Sequence, residues 1–140
     1  MNKKIMWYYV FKALNKKYWK SKYRSIPVFL MRLDGEKLGE YRCSPAGINS
    51  ILLAKNQGLT NIELMGVLLH EMCHHVVFEK YGIDVDPHGK EWIREMKKVG
   101  FEGVINEKTC GLNKFSEKEF SEIILEHDYL CIKEGIGEVR

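Results

Sequence analysis

The sequence predicts an α+β domain, a small antiparallel or mixed sheet packed with one long central helix and flanking helices. Three observations lead there. Helical apolar periodicity marks segments at both ends of the chain and through its middle, while short strand-like runs gather between residues 28 and 54 instead of alternating with the helices. Two of the helical segments open with reciprocal capping signatures. A chain of 140 residues, 45% hydrophobic and 29% charged, has the size and balance of one domain with its own core.

The first segment, within residues 1–24, spaces Trp7, Phe11, Leu14 and Tyr18 at helical intervals with Lys12, Lys16 and Lys20 on a neighbouring face, and is expected to end before Pro27. Val28 to Leu33 is a short apolar run, Asp34-Gly35 is a turn signal, and Leu38 to Cys43 alternates as a half-buried strand does, so the three together read as a β-hairpin. After the break at Ser44-Pro45-Ala46-Gly47, Ile48 to Ala54 reads as a third strand, expected at the sheet edge. Thr60 with Glu63 makes a capping box, and Leu59 with Leu64 suits a hydrophobic staple around it, opening a helix that runs to about Tyr81 and stops at Gly82. Asp86-Pro87 meets N-cap and N1 preferences for a second helix, whose buried stripe is Trp92, Ile93, Met96 and Val99. Residues 101–114 form a glycine-punctuated connection. Ser116 with Glu119, and Phe115 with Phe120, repeat the box and staple for a last helix.

Charge is divided unevenly. Residues 1–33 hold nine Lys/Arg and no acid, against 13 basic and 19 acidic residues in the remainder. Cys43, Cys73, Cys110 and Cys131 stand apart with no C-x-x-C pair, which argues against a disulfide framework and a cysteine-held structural zinc. No apolar run approaches a membrane span and nothing reads as an export signal, so an intracellular setting, cytoplasm or nucleus/nucleoid, is expected.

The densest chemistry lies in LLHEMCHHVV, residues 68–77. Residues four apart on a helix stand one turn above each other, so His70 and His74 can share one Zn2+ ion, while Glu71 points about 100° around the axis as a base beside the metal. In this H-E-x-x-H arrangement the glutamate takes a proton from the attacking water. Its apolar neighbours give Glu71 no counter-charge of their own, and a buried carboxylate without a cation is costly. A catalytic site needs a third protein ligand. Glycine at 77 and histidine at 80 would mark a metzincin, but the chain has Val77 and Lys80. Glu91 or Glu95 on the following helix can serve as in thermolysin-like sites; His88 is the preferred ligand, placed in the first turn of that helix after a tight Asp-Pro entry, with Gly89 leaving room beside it.

VLLHEMCHHVV followed by DPHGKEWIREMKKVG resembles the SprT-like (Spartan-type) zinc metalloprotease family, with its H-E-M-x-H helix and its H-G-x-x-[FW] third-ligand helix. The resemblance covers residues 67–99. It implies a zincin-like fold, His70, His74 and His88 as zinc ligands, Glu71 as catalytic acid-base, and substrates among DNA-bound or DNA-crosslinked proteins. Residues 101–140 would form a C-terminal extension without the zinc ribbon of larger members. Two alternatives stand beside this reading: a zinc-stabilised nucleic-acid-binding domain with little peptidase activity, and a metallopeptidase that cleaves a regulatory protein.

Other residues carry plainer expectations. His75 points away from its neighbour His74 and reads as a supporting or partly buried histidine; Cys73 and His127 read as structural. Gly66 either admits a close approach or is tolerated in the helix at some cost. Basic segments with aromatic platforms bind single-stranded nucleic acid, which makes Lys12, Lys16, Lys17 and Lys20 candidate DNA contacts, although seven nearby aromatics are more than a surface usually exposes.

Overall fold

The computed structural model describes residues 4–134; Lys3 of the basic segment and residues 135–140 of the C-terminal extension lie outside the described residues. In chain order the elements are α1 (Trp7–Trp19), β1 (Val28–Met31), β2 (Gly39–Arg42), β3 (Ser50–Ala54), α2 (Asn61–Tyr81), α3 (Lys90–Lys98) and α4 (Glu117–Lys133). The class is α+β, with four helices and a three-stranded mixed sheet among the described residues.

The sheet differs from the expected hairpin. Its order is β1-β3-β2, with β1 parallel to β3 and β2 antiparallel to β3. Gly35 does turn the chain, with φ +62°, but β1 and β2 emerge on opposite sides of β3. The reason lies in β3 itself. Ile51, Leu52, Leu53 and Ala54 are all buried, a run apolar on both faces that suits a central strand covered above and below. Asn56 fixes the arrangement by exchanging two 2.9 Å hydrogen bonds with the backbone of Leu33, two residues past the end of β1. The segment expected at the edge is therefore the centre, and β2 presents the free edge that lies over α2.

Helix α2 is the hub of the fold. Both halves of its capping box form: Glu63 donates its backbone N–H to Thr60 Oγ1 at 3.2 Å, and its carboxylate accepts from the Thr60 N–H at 2.9 Å. Apolar residues surround the helix, and Met65, Leu68, Leu69, Met72 and Cys73 are buried in the main core with Phe11, Leu14, Ile51, Trp92 and Met96.

Helix α1 packs on α4. Trp7, Tyr9, Phe11 and Trp19 are buried, while Lys12 pairs with Glu134 at 2.8 Å and Lys16 with Glu126 at 3.2 Å. His127 is structural in this packing: its Nε2 accepts the Met6 N–H at 2.9 Å and so satisfies an otherwise open donor at the start of α1.

Gly66 admits a close approach. A Cβ there would overlap the Gly111 carbonyl oxygen, and a Cβ on Gly111, at φ +89°, would overlap the Gly66 carbonyl oxygen. This crossing seats the 101–114 connection directly on α2, one turn before His70.

Candidate metal centre

The site is built on α2, completed by the turn before α3 and roofed by β2. His70 and His74 project from successive turns of α2 with ring centroids 5.3 Å apart. His88 comes from the turn at 86–89, its ring 5.0 Å from that of His74. The sequence placed this residue in the first turn of a helix starting at Asp86-Pro87. Instead, Asp86 accepts the His88 N–H on its side chain at 3.1 Å and the Gly89 N–H on its carbonyl at 3.1 Å, and α3 is capped at Gly89. An aspartate that bonds the backbone two residues on closes a local turn in competition with helix. Here the turn aims His88 at α2.

One nitrogen from each of His70, His74 and His88 lies within 4.8 Å of the others, a group that can hold a metal ion. Three imidazoles with room for a further ligand are a donor set of the kind that suits a small divalent ion. Burial lowers the His70 pKa to about 4, with further lowering from the His88 charge, while the nearby Thr109 backbone acts weakly the other way without a well-formed hydrogen bond to Nδ1. His74 is lowered to about 3, by burial first and then by His70 and His88. Both rings thus stay neutral through physiological pH, with lone pairs free to coordinate.

Glu71 sits beside this group. Its Oε2 is 3.7 Å from His70 Nε2, and its carboxyl, 7% exposed, has its pKa raised to about 8 by burial and then by the charge of Glu40. Glu71 has room for its carboxylate because β2 carries glycine above it: a Cβ on Gly39 would lie 2.6 Å from Val67 Cγ1 and 3.2 Å from Glu71 Oε2.

Trp92 forms the wall behind all three imidazoles. It is fully buried, stacks on His74 at 5.2 Å and 8°, and meets His70 and His88 edge-on at 5.3 and 4.8 Å. The sequence marks Trp92 as part of the α3 stripe, four residues after His88, but gives no sign that it braces the histidines. Tyr41 braces the opposite side. Its ring stacks on His74 at 6.5 Å and 11°, and its hydroxyl lies 3.0 Å from His75 Nδ1, whose other nitrogen meets the Arg24 carbonyl at 2.8 Å. Both His75 nitrogens are occupied, which leaves it a supporting residue.

The glutamates on α3 are not part of the group. Glu95 is buried and accepts hydrogen bonds from Lys80 at 2.6 Å and Trp19 at 3.3 Å. Cys73 is buried in the core, with its thiol pKa pushed up by burial.

A cleft of about 410 Å3 opens over the site between Gly39, Tyr41 and Cys43 on one side and Pro87, His88 and Glu107 on the other. Glu107 was not expected here; the Gly66–Gly111 crossing carries its loop into place. Lys12, Lys16, Lys17 and Lys20 lie on α1 and its C-cap, and none lines the cleft.

The model of the SprT-like family matches residues 8–127. Protein SprT from Glaesserella parasuis serovar 5 (strain SH0165) is 42% identical over 52 residues, a match that covers 37% of this chain and 31% of that protein. No solved structure matches significantly. A family match across most of the length, falling on the elements that bring the three histidines together, is sufficient: the chain belongs to the SprT-like family.

Proposed function

We propose that this chain is a zinc-dependent peptidase of zincin-like architecture, with His70, His74 and His88 as ligands of one Zn2+ ion and Glu71 as the catalytic acid-base. The observation that carries the reading is a buried carboxylate 3.7 Å from one of three clustered imidazoles, at the floor of an open cleft. A structural zinc usually has four closed protein ligands and no use for an adjacent base. When bound, zinc supplies a Lewis acid that polarises the scissile carbonyl and makes water acidic enough to attack at neutral pH. Glu71 then receives the proton of the attacking water and passes it to the leaving amine. Trp92 and Tyr41 hold the His74 ring from either side, so the ligands are set before substrate arrives. The substrate chain lies extended along the free edge of β2, which borders the cleft and offers unpaired backbone groups.

The proposed substrates are DNA-bound or DNA-crosslinked proteins, in keeping with the family and with the basic N-terminal segment. Lys17 and Lys20 are exposed and form no ion pair among the described residues, so they are the first candidates for phosphate contact, single-stranded DNA being favoured. The test is metal analysis of the purified protein together with cleavage of a DNA-binding protein, with and without DNA. Glu71→Gln should keep zinc and lose cleavage. Full activity in that variant, or absence of bound metal from the active wild type, would end the proposal.

A further inference from the structure

A second, smaller cavity continues the cleft beyond His74. About 80 Å3 is enclosed by Tyr41 and Cys43 from the sheet side, Val77 and Phe78 from α2, and Ile83 and Val85 from the loop that follows. No charged side chain lines it. It shares Tyr41, Cys43, His74 and Pro87 with the cleft over the metal group, so the two are continuous. On the other side of the metal group the surroundings change: a further cavity, which shares Gly39, His70, Glu71 and Glu107 with the cleft, is lined by Glu36, Glu107 and Lys108. A substrate crossing the site therefore meets an uncharged pocket at one end and charged walls at the other.

Resting on the peptidase reading, we infer that the 80 Å3 pocket receives an aliphatic side chain of the substrate, from the residues immediately N-terminal to the bond cleaved. The size follows from the volume, which holds about three groups of water or methyl size at about 30 Å3 each; valine fits whole, and leucine, isoleucine and methionine fit with one group left at the open mouth. The side follows from strand direction. Gly39 lies over Glu71 and Tyr41 over His74, so β2 runs from the charged end of the cleft to the apolar end. An added strand prefers the antiparallel arrangement that β2 already makes with β3. Its N-terminal half then lies at the Cys43 end, over the pocket. Ile83, 48% exposed at the mouth, is an apolar surface residue that contact with a substrate side chain would cover.

Two measurements test this. In the first, the zinc-loaded wild type and Ile83→Asp each digest a mixed peptide library, and the new termini are sequenced. Wild type should enrich aliphatic residues at a fixed position just before the cleaved bond, and Ile83→Asp should reduce that enrichment about tenfold, as expected for one lost apolar contact surface. No enrichment, enrichment after the bond, or an unchanged profile in Ile83→Asp overturns the inference. In the second, zinc-loaded Glu71→Gln is titrated with fluorescein-labelled peptides in which one position at a time is leucine or glycine. At one position leucine should bind about tenfold more tightly, and Ile83→Asp in the same background should erase the difference. Equal binding at every position overturns the pocket. Because this measurement needs no turnover, it separates failure of the pocket from failure of the peptidase reading.

Discussion

Removing the metal should expose the cost of burying Glu71. An ordinary glutamate titrates near 4.5, and the fold raises this one to about 8, by burial first and by the Glu40 charge second. A carboxyl with a raised folded pKa holds its proton more tightly in the native state, so its contribution to stability falls as pH climbs from about 4.5 through about 8. His70 and His74 act in the opposite sense: with folded values of about 4 and about 3 against 6.5, they add stability as pH rises, and most of the gain is in place by about 6.5. Between pH 6.5 and 8 Glu71 dominates, and the remainder of the histidine gain is common to wild type and a Glu71→Gln variant. That interval is about 1.5 pKa units, at about 1.4 kcal/mol each, or a loss of about 2 kcal/mol. The assay is urea unfolding of wild type and Glu71→Gln, both stripped with EDTA, at the two pH values. Wild type should lose about 2 kcal/mol more than the variant, whose amide has no proton to release. Equal slopes in the two proteins would refute the claim that a buried, proton-holding Glu71 carboxyl underlies the pH dependence.

His88→Ala should abolish tight zinc binding as read by metal analysis, whereas Glu95→Ala should retain zinc but unfold more readily, because it strands Lys80 and Trp19. Gly66→Ala should cost about 1–3 kcal/mol or more in urea unfolding, since its methyl meets the Gly111 backbone and the loop must shift. Gly39→Ala should keep zinc and reduce turnover, because the new methyl presses on Val67 and on the Glu71 carboxylate; an unchanged kcat would show that β2 has slack above the site. Replacing Lys12, Lys16, Lys17 and Lys20 with glutamine should weaken DNA binding and flatten its salt dependence with little change in thermal unfolding, because the ion pairs lost on α1 are exposed ones.

What the sequence revealed was largely local. The capping boxes at Thr60 and Ser116 formed as read, because each is closed by groups three residues apart. The His70–His74 spacing needed only a helix, and an apolar run of this length could hardly be anything else. His88 reached the same group by a different route from the one its sequence suggested. Asp86 serves N-caps and turns with the same side-chain oxygen, and nothing nearby in the chain decides which. The strands were recognised, but their pairing was not: pairing is settled by which run can be buried on both faces, a property of the whole molecule.

The parts that stayed hidden share one cause. Gly39, Gly66 and Gly111 carry no chemistry: in sequence Gly39 lies inside an expected strand, Gly111 in a glycine-punctuated connection, and Gly66 reads as either a close approach or a tolerated cost, with no partner named for it. In the fold all three mark places where another segment presses against α2 on either side of His70: β2 above Glu71, and the 101–114 connection one turn earlier. These contacts fix the width of the cleft and bring Glu107 to its rim. Metal-binding capacity is thus written in three histidines that a motif can find. Access to them is set by missing side chains, visible only once the surfaces they admit are in place. A chain with the same histidines and glutamate but with methyl groups at these positions would keep the ligands, while the segments that border the cleft would have to shift on α2.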